Sequence, residues 1–241
     1  MPNPTAAMLV IGDEILSGRT RDANMYHLAG VLTQAGIDLR EVRVVSDSKP
    51  AIIDAVRALS AQYDHVFTSG GIGPTHDDIT ADCIADAFGV SLDVREDARA
   101  LLEGHYAQSG SQLNAARLRM ARIPDEADLI LNPVSTAPGF TLFNVHVMAG
   151  VPSVFRAMVD DLMSKLAGGT PLSSETLRIA RGEGDIAGPL GDLAIKYPDL
   201  SLGSYPFQLN SGAYGSNVVI RGADADAVKG AMQELQSLFP E

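Results

Sequence analysis

At 241 residues, 46% of them apolar and 20% charged, the chain can enclose one large hydrophobic core, or a large and a small one. Its formal charge of −12 excludes broad electrostatic binding to nucleic acid or to an anionic membrane, so an anionic ligand needs local help against that field. The single cysteine, Cys83, excludes an intrachain disulfide and fits a reducing compartment.

No basic region precedes the first apolar run, residues 6–11, and that run is too short for a signal-peptide core or a membrane span, which points to a cytoplasmic protein. The same run has the length of a strand covered on both faces, as in parallel sheets. A loop bracketed by glycines comes next, Gly12-Asp13-Glu14-Ile15-Leu16-Ser17-Gly18. Met25, Leu28, Ala29 and Leu32 then recur at helical spacing towards Gly36. Residues 39–45 alternate as a strand, and Ser48 and Pro50 open a helix carrying Ile52, Ile53, Val56 and Leu59. Residues 66–68 form a third strand and residues 80–88 a helix stopped by Gly89. This alternation of strand and helix predicts an α/β layer with right-handed crossovers.

Residues 95–122 read as helical and partly amphipathic, and Pro124, Pro133 and Pro138 interrupt the chain between there and residue 140. Residues 140–143 and 145–148 predict a strand pair around Asn144. Gly150-Val151-Pro152-Ser153 opens a further helix with Val154, Phe155, Met158, Val159 and Leu162 on one side. The Gly-, Pro- and Ser-rich stretch 167–174 predicts a linker. Beyond it, strand 175–180, helix 186–197, strands 200–207 and 217–221, and helix 224–238 give a β-α-β-β-α order, that of a small α+β domain with its helices on one sheet face. The expected domains are residues 1–167 and 175–241.

The segment with the most chemistry is Gly70-Gly71-Ile72-Gly73-Pro74-Thr75-His76-Asp77-Asp78-Ile79-Thr80, between the third strand and its helix. Glycine lets backbone approach a ligand closely, and the adjoining helix offers unpaired N–H groups and the positive end of its dipole. Asp77 and Asp78 would repel a phosphate unless a cation lay between them, so the segment suggests a phosphate-bearing ligand bound with a metal. It is neither a Walker A loop, lacking the lysine, nor the dinucleotide fingerprint, because His76 stands at the third glycine. A plainer reading is a strand-to-helix turn capped by Asp78 or Thr80. Asp13 and Glu14 lie past the carboxyl end of the first strand, the edge where open α/β sheets bind ligands, and a set of oxygen ligands suits Mg²⁺ or Mn²⁺ rather than Zn²⁺. Gly150, Pro152 and Ser153 form a second strand-to-helix junction able to hold a phosphate or carboxylate. His76 is the one histidine in the candidate loop, while Cys83 lies within a helical pattern and reads as packing. Gly188-Pro189-Leu190-Gly191 has the spacing of an RNA-binding GXXG loop, but its proline and the acidity around it argue against nucleic acid.

Together these segments resemble a known family. The stretch from Gly70 to Thr80 resembles the signature of molybdopterin-binding-domain proteins, and Gly12 to Gly18 the first loop of the branch typified by the competence/damage-inducible protein CinA. Asn114, Arg117, Met120-Ala121, Ile123-Pro124, Asn132-Pro133 and Ala137-Pro138-Gly139-Phe140 match that branch, as does Gly150-Val151-Pro152, with Ala149 departing from the usual proline. The linker and small domain match the CinA layout in length, and the chain stops where longer CinA proteins carry an amidase domain, so deamidation of nicotinamide mononucleotide is expected to be absent. The resemblance implies a three-layer α/β/α fold with a mostly parallel sheet, and self-association as a dimer or trimer.

It also implies two activities. One is metal-dependent cleavage of ADP-ribose or a similar dinucleotide at the pyrophosphate. The other is binding or adenylylation of molybdopterin in molybdenum cofactor synthesis, with a non-catalytic binding module or a decayed regulatory subunit as further alternatives. Under the first expectation Gly70, Gly71 and Gly73 cradle phosphate, with Thr75, His76, Thr80, Gly150, Pro152 and Ser153 as further ligand contacts. Asp77 and Asp78 hold Mg²⁺ or a similar ion, with K⁺ as an additional candidate, and Asp78, Asp13 and Glu14 are the catalytic acids.

Overall fold

A computed structural model describes residues 2–209 and 212–240; Met1, Asn210, Ser211 and Glu241, which fall within the expected domains, lie outside the described residues. The chain divides into two compact units, residues 1–169 and 170–241. In chain order the first contains β1 (Thr5–Ile11), α1 (Asp13–Leu16), α2 (Asn24–Gln34), β2 (Asp38–Val45), α3 (Lys49–Gln62), β3 (His65–Ser69), α4 (Thr80–Phe88), β4 (Leu92–Val94) and α5 (Glu96–Ser109). It continues with α6 (Ala115–Leu118), β5 (Arg122–Pro124), β6 (Asp128–Ile130), β7 (Gly139–Leu142), β8 (Val145–Met148) and α7 (Pro152–Met163).

β1 explains the layering. Its apolar run alternates sides: Ala7, Leu9 and Ile11 join a core with α3 and α4, while Ala6, Met8 and Val10 join a second core with α2 and α7. Both faces of the sheet are therefore covered, and the unit is a three-layer α/β/α fold. The six strands lie in the order β2-β1-β3-β8-β7-β6. β2, β1, β3 and β8 are mutually parallel, and β7 turns back, pairing antiparallel with β8 on one side and with the edge strand β6 on the other, so the sheet is mostly parallel.

The stretch 95–122 departs from the expected helix. Gly110 ends α5 in the left-handed region at φ 69°, and the Asn114 side chain then accepts from the Arg117 amide to start the short α6. A 3-10 turn, Arg119–Ala121, leads into β5, which pairs antiparallel with β4. β4, β5 and β6 have three residues each, too few for an alternating pattern to show.

The second unit contains β9 (Ser173–Ile179), α8 (Glu183–Lys196), β10 (Ser201–Gln208), β11 (Tyr214–Gly222) and α9 (Ala225–Leu238). Its antiparallel sheet has the order β10-β11-β9. Ile179, Val218 and Ile220 of the sheet pack with Ile186 and Leu193 of α8 and Val228, Ala231 and Leu235 of α9, an α+β arrangement. Gly188 to Gly191 lies inside α8, Pro189 included, so the GXXG spacing does not form a loop. Among the described residues no helix is long and apolar enough to cross a membrane.

Candidate functional site

The loop after β3 is shaped by close approach. Gly70 has φ 110°, and a Cβ there would stand 2.2 Å from the carbonyl oxygen of Ile11 at the end of β1. Gly71 has φ 69°, and a Cβ there would stand 2.1 Å from Thr80 Oγ1. No other residue type fits either position without moving backbone or a buried side chain. Thr80 is 0% exposed, its hydroxyl donates to the Gly70 carbonyl at 3.0 Å, and its N–H donates to the Gly71 carbonyl at 2.9 Å. The start of α4 is thereby stapled to the end of β3. No side chain caps α4, so the expectation that Asp78 or Thr80 does so is corrected. Asp78 instead turns back within the loop, its Oδ2 accepting from the Thr75 N–H at 2.8 Å and the Thr75 hydroxyl at 2.6 Å.

This loop forms one wall of a cavity of about 490 Å³ at the carboxyl ends of β1, β3 and β8. Gly70, Gly71 and Gly73 meet Gly150 and Val151 from the β8–α7 junction there, where a Cβ on Gly150 would lie 3.3 Å from Gly70 Cα. Ile11, Ile72, Met120, Val154 and Met158 supply an apolar lining, and Glu14, Asp47, Asp77 and Asp78 supply carboxylates. The Gly70 N–H is already donated to the Met148 carbonyl at 3.1 Å. The N–H groups of Gly71, Ile72 and Gly73 have no acceptor within the protein among the described residues.

Asp47 was not singled out from the sequence. Its Oδ2 accepts from the Asp13 N–H at 2.9 Å. Burial raises its pKa, and the nearby charges of Asp13, Glu14 and Asp77 raise it further, against the opposing effect of the Asp13 amide. The rule that drew attention to Asp13 also covers Asp47, because it lies just beyond the carboxyl end of β2.

Of the expected site residues, Gly70, Gly71, Gly73, Asp77, Asp78, Glu14 and Gly150 line the cavity. Asp13 is exposed at the start of α1 and enters through its amide rather than as part of the lining. Thr80 sits behind the loop, and Thr75 and His76 lie outside the lining, the His76 side chain being fully exposed 3.8 Å from Asp77. Pro152 borders a smaller neighbouring pocket and Ser153 is exposed on the first turn of α7.

Among the described residues no three His, Cys, Asp or Glu side chains stand close enough to hold one metal ion. Asp78 Oδ2 is moreover taken up by Thr75. The protein alone thus offers no preformed cage for a divalent ion; Asp77 and Asp78 are the carboxylates that would meet one shared with the phosphate of a ligand.

Residues 7–168 match the family described as "Probable molybdopterin binding domain", and residues 171–241 match "FAD synthase, middle domain". The small domain, likened to CinA in length alone, is thus similar to a domain of FAD synthases. A "Probable FAD synthase" of Caenorhabditis elegans is 31% identical over 98% of this chain and 50% of its own length, so the chain spans about half of that relative. A "CinA-like protein" of Myxococcus xanthus is 37% identical over 64% of this chain and 37% of its own. A solved structure of CinA from Thermoplasma acidophilum, described as of unknown function, aligns at 34% identity with a TM-score of 0.62, covering 68% of this chain and 99% of that one. With the larger part of its length matched and the sheet and glycine loop in place, the chain belongs to the molybdopterin-binding-domain family, in the neighbourhood of CinA-like proteins.

Proposed function

We propose that the larger unit binds the phosphate of an adenine-nucleotide or pterin ligand against the glycine loop, serving as a binding or adenylyl-handling module. The observation that carries the reading is the run of three unpaired amides, Gly71, Ile72 and Gly73, in the wall of a cavity that Ile11, Met120, Val154 and Met158 also line. Hydrogen bonds to a charged oxygen contribute about 1.5–3 kcal/mol each, whereas a helix N-terminus contributes about 0.3–1 kcal/mol to an anion. The loop therefore dominates, and α4 adds to it. The apolar lining suits the ring system of a base, flavin or pterin.

Relatives named as FAD synthases, and the match of the smaller unit to an FAD synthase middle domain, support an adenine dinucleotide or its adenylyl half as the ligand class. Pyrophosphate cleavage, the first expectation, needs an activated water. The likeness to FAD synthases supports the binding or adenylyl reading in its place.

Calorimetric titration of the whole chain with ADP-ribose, FAD, ADP and AMP, beside adenosine and riboflavin, tests the proposal. The phosphorylated ligands are expected to bind at least about tenfold more tightly than their phosphate-free counterparts, a difference of about 1.4 kcal/mol. Equal affinity across the series contradicts it. Chromatography of the same mixtures with Mg²⁺ decides between reading and alternative: AMP released from ADP-ribose by the native chain and not by Asp78→Asn would restore the hydrolytic expectation.

A further inference from the structure

The cavity poses a charge problem. Four carboxylates line it, those of Glu14, Asp47, Asp77 and Asp78, and no lysine or arginine among the described residues does. The charged side chains a phosphate meets there are all negative, and its amide contacts carry no full charge to offset them. A second, small cavity adjoins the first and shares Gly71, Ile72, Gly73, Asp78 and Met120 with it, so the glycine segment is the partition between the two. Two guanidinium groups border this second cavity. Arg122 is committed to the Asp82 carboxylate by bonds of 2.9 and 2.6 Å. Arg119 has no carboxylate partner among the described residues. It donates to the Asp78 carbonyl at 3.2 Å, and its Nε is buried without an acceptor. A guanidinium carries five donors and one permanent charge, and this one is left nearly unused immediately behind the amides that would meet the phosphate.

We propose that Arg119 is the cation of this site, offsetting ligand phosphate through the Gly71–Gly73 segment and so selecting phosphorylated over neutral ligands. The inference rests on the proposed phosphate-binding function. Half-buried and placed behind a loop, its charge is less screened by salt than that of an exposed side chain. The bond to the Asp78 carbonyl holds it there, so Arg119 positions the loop as well as charging it.

The test measures ADP and adenosine affinities in EDTA, for the native chain, Arg119→Gln, Arg119→Lys and Arg21→Gln. Gln keeps an amide donor for the Asp78 carbonyl and removes the charge; Arg119→Met repeats the charge removal should Gln fail to fold by circular dichroism. Arg21 is an exposed arginine at the neighbouring pocket and serves as the comparison. Expected are a loss of tenfold or more in ADP affinity for Arg119→Gln, a change under twofold for adenosine, recovery of most of the loss in Arg119→Lys, and a change under twofold for Arg21→Gln. ADP affinity unchanged in Arg119→Gln, equal losses for ADP and adenosine, or the selective loss appearing in Arg21→Gln instead would each overturn the inference. A native chain that does not prefer ADP to adenosine defeats the underlying functional reading, and the inference with it.

Discussion

Thr80→Val isolates what the loop does. The substitution keeps the side-chain volume and removes one hydroxyl from a residue that is 0% exposed. That hydroxyl donates to the Gly70 carbonyl at 3.0 Å and lies where a Cβ on Gly71 would clash, so it fixes both glycines at once. Losing a donor to a buried carbonyl costs about 1–3 kcal/mol. For a unit of this size each kcal/mol lowers the melting temperature by about 2–4 °C. A melt of Thr80→Val is therefore expected about 2–12 °C below the native chain, with Thr80→Ser close to native because it retains the hydroxyl. Nucleotide affinity should fall together with stability in the Val variant and return in the Ser variant. A Val variant that melts within about 1 °C of native yet binds ADP much more weakly would make Thr80 a ligand contact and not a staple.

Gly70→Ala places a Cβ 2.2 Å from the Ile11 carbonyl at φ 110°, and is expected to cost at least about 3 kcal/mol, read as loss of soluble protein or a collapsed melt. His146 is 2% exposed on β8, and burial, with the neighbouring His65 adding to it, brings its pKa down to about 3. The unfolded chain takes up a proton near pH 6.5 that the folded chain refuses, so this contribution to stability is full above pH 6.5 and is lost as pH falls towards 3, about 2 kcal/mol by pH 5. Denaturant titrations at pH 7 and pH 5 should show that loss, and His146→Gln should reduce it. Asp47→Asn keeps an acceptor for the Asp13 amide while removing one of the four cavity charges, so ADP should bind severalfold more tightly in EDTA. Weaker binding in that variant would show that the acid cluster assists the ligand rather than opposing it.

The parts of the fold that were legible in the sequence are those with a long pattern. The uninterrupted run of β1 indicated a strand covered on both faces, and its odd and even residues enter the two separate cores. The three-residue strands β4, β5 and β6 left no pattern to read, and Gly110 divided a stretch whose composition alone favours one helix. At the site, glycine content located the loop but could not show which amides stay unpaired. Gly70 spends its N–H on Met148, a partner from a strand far along the chain. Thr80 has the composition of a ligand contact and the position of an internal strut, a distinction that burial makes and sequence does not. Asp47 and Arg119 gain their interest only from neighbours brought by folding, Asp47 from Asp13 and Glu14, Arg119 from a glycine segment much earlier in the chain.

In the proposed site the Gly71–Gly73 amides receive the phosphate. A crystal structure of the whole chain with ADP tests it directly. Phosphate density is expected within about 3.2 Å of those three N–H groups, a normal hydrogen-bond reach, with the adenine ring against Met120, Val154 or Met158. ADP bound elsewhere while this cavity holds only water would contradict it.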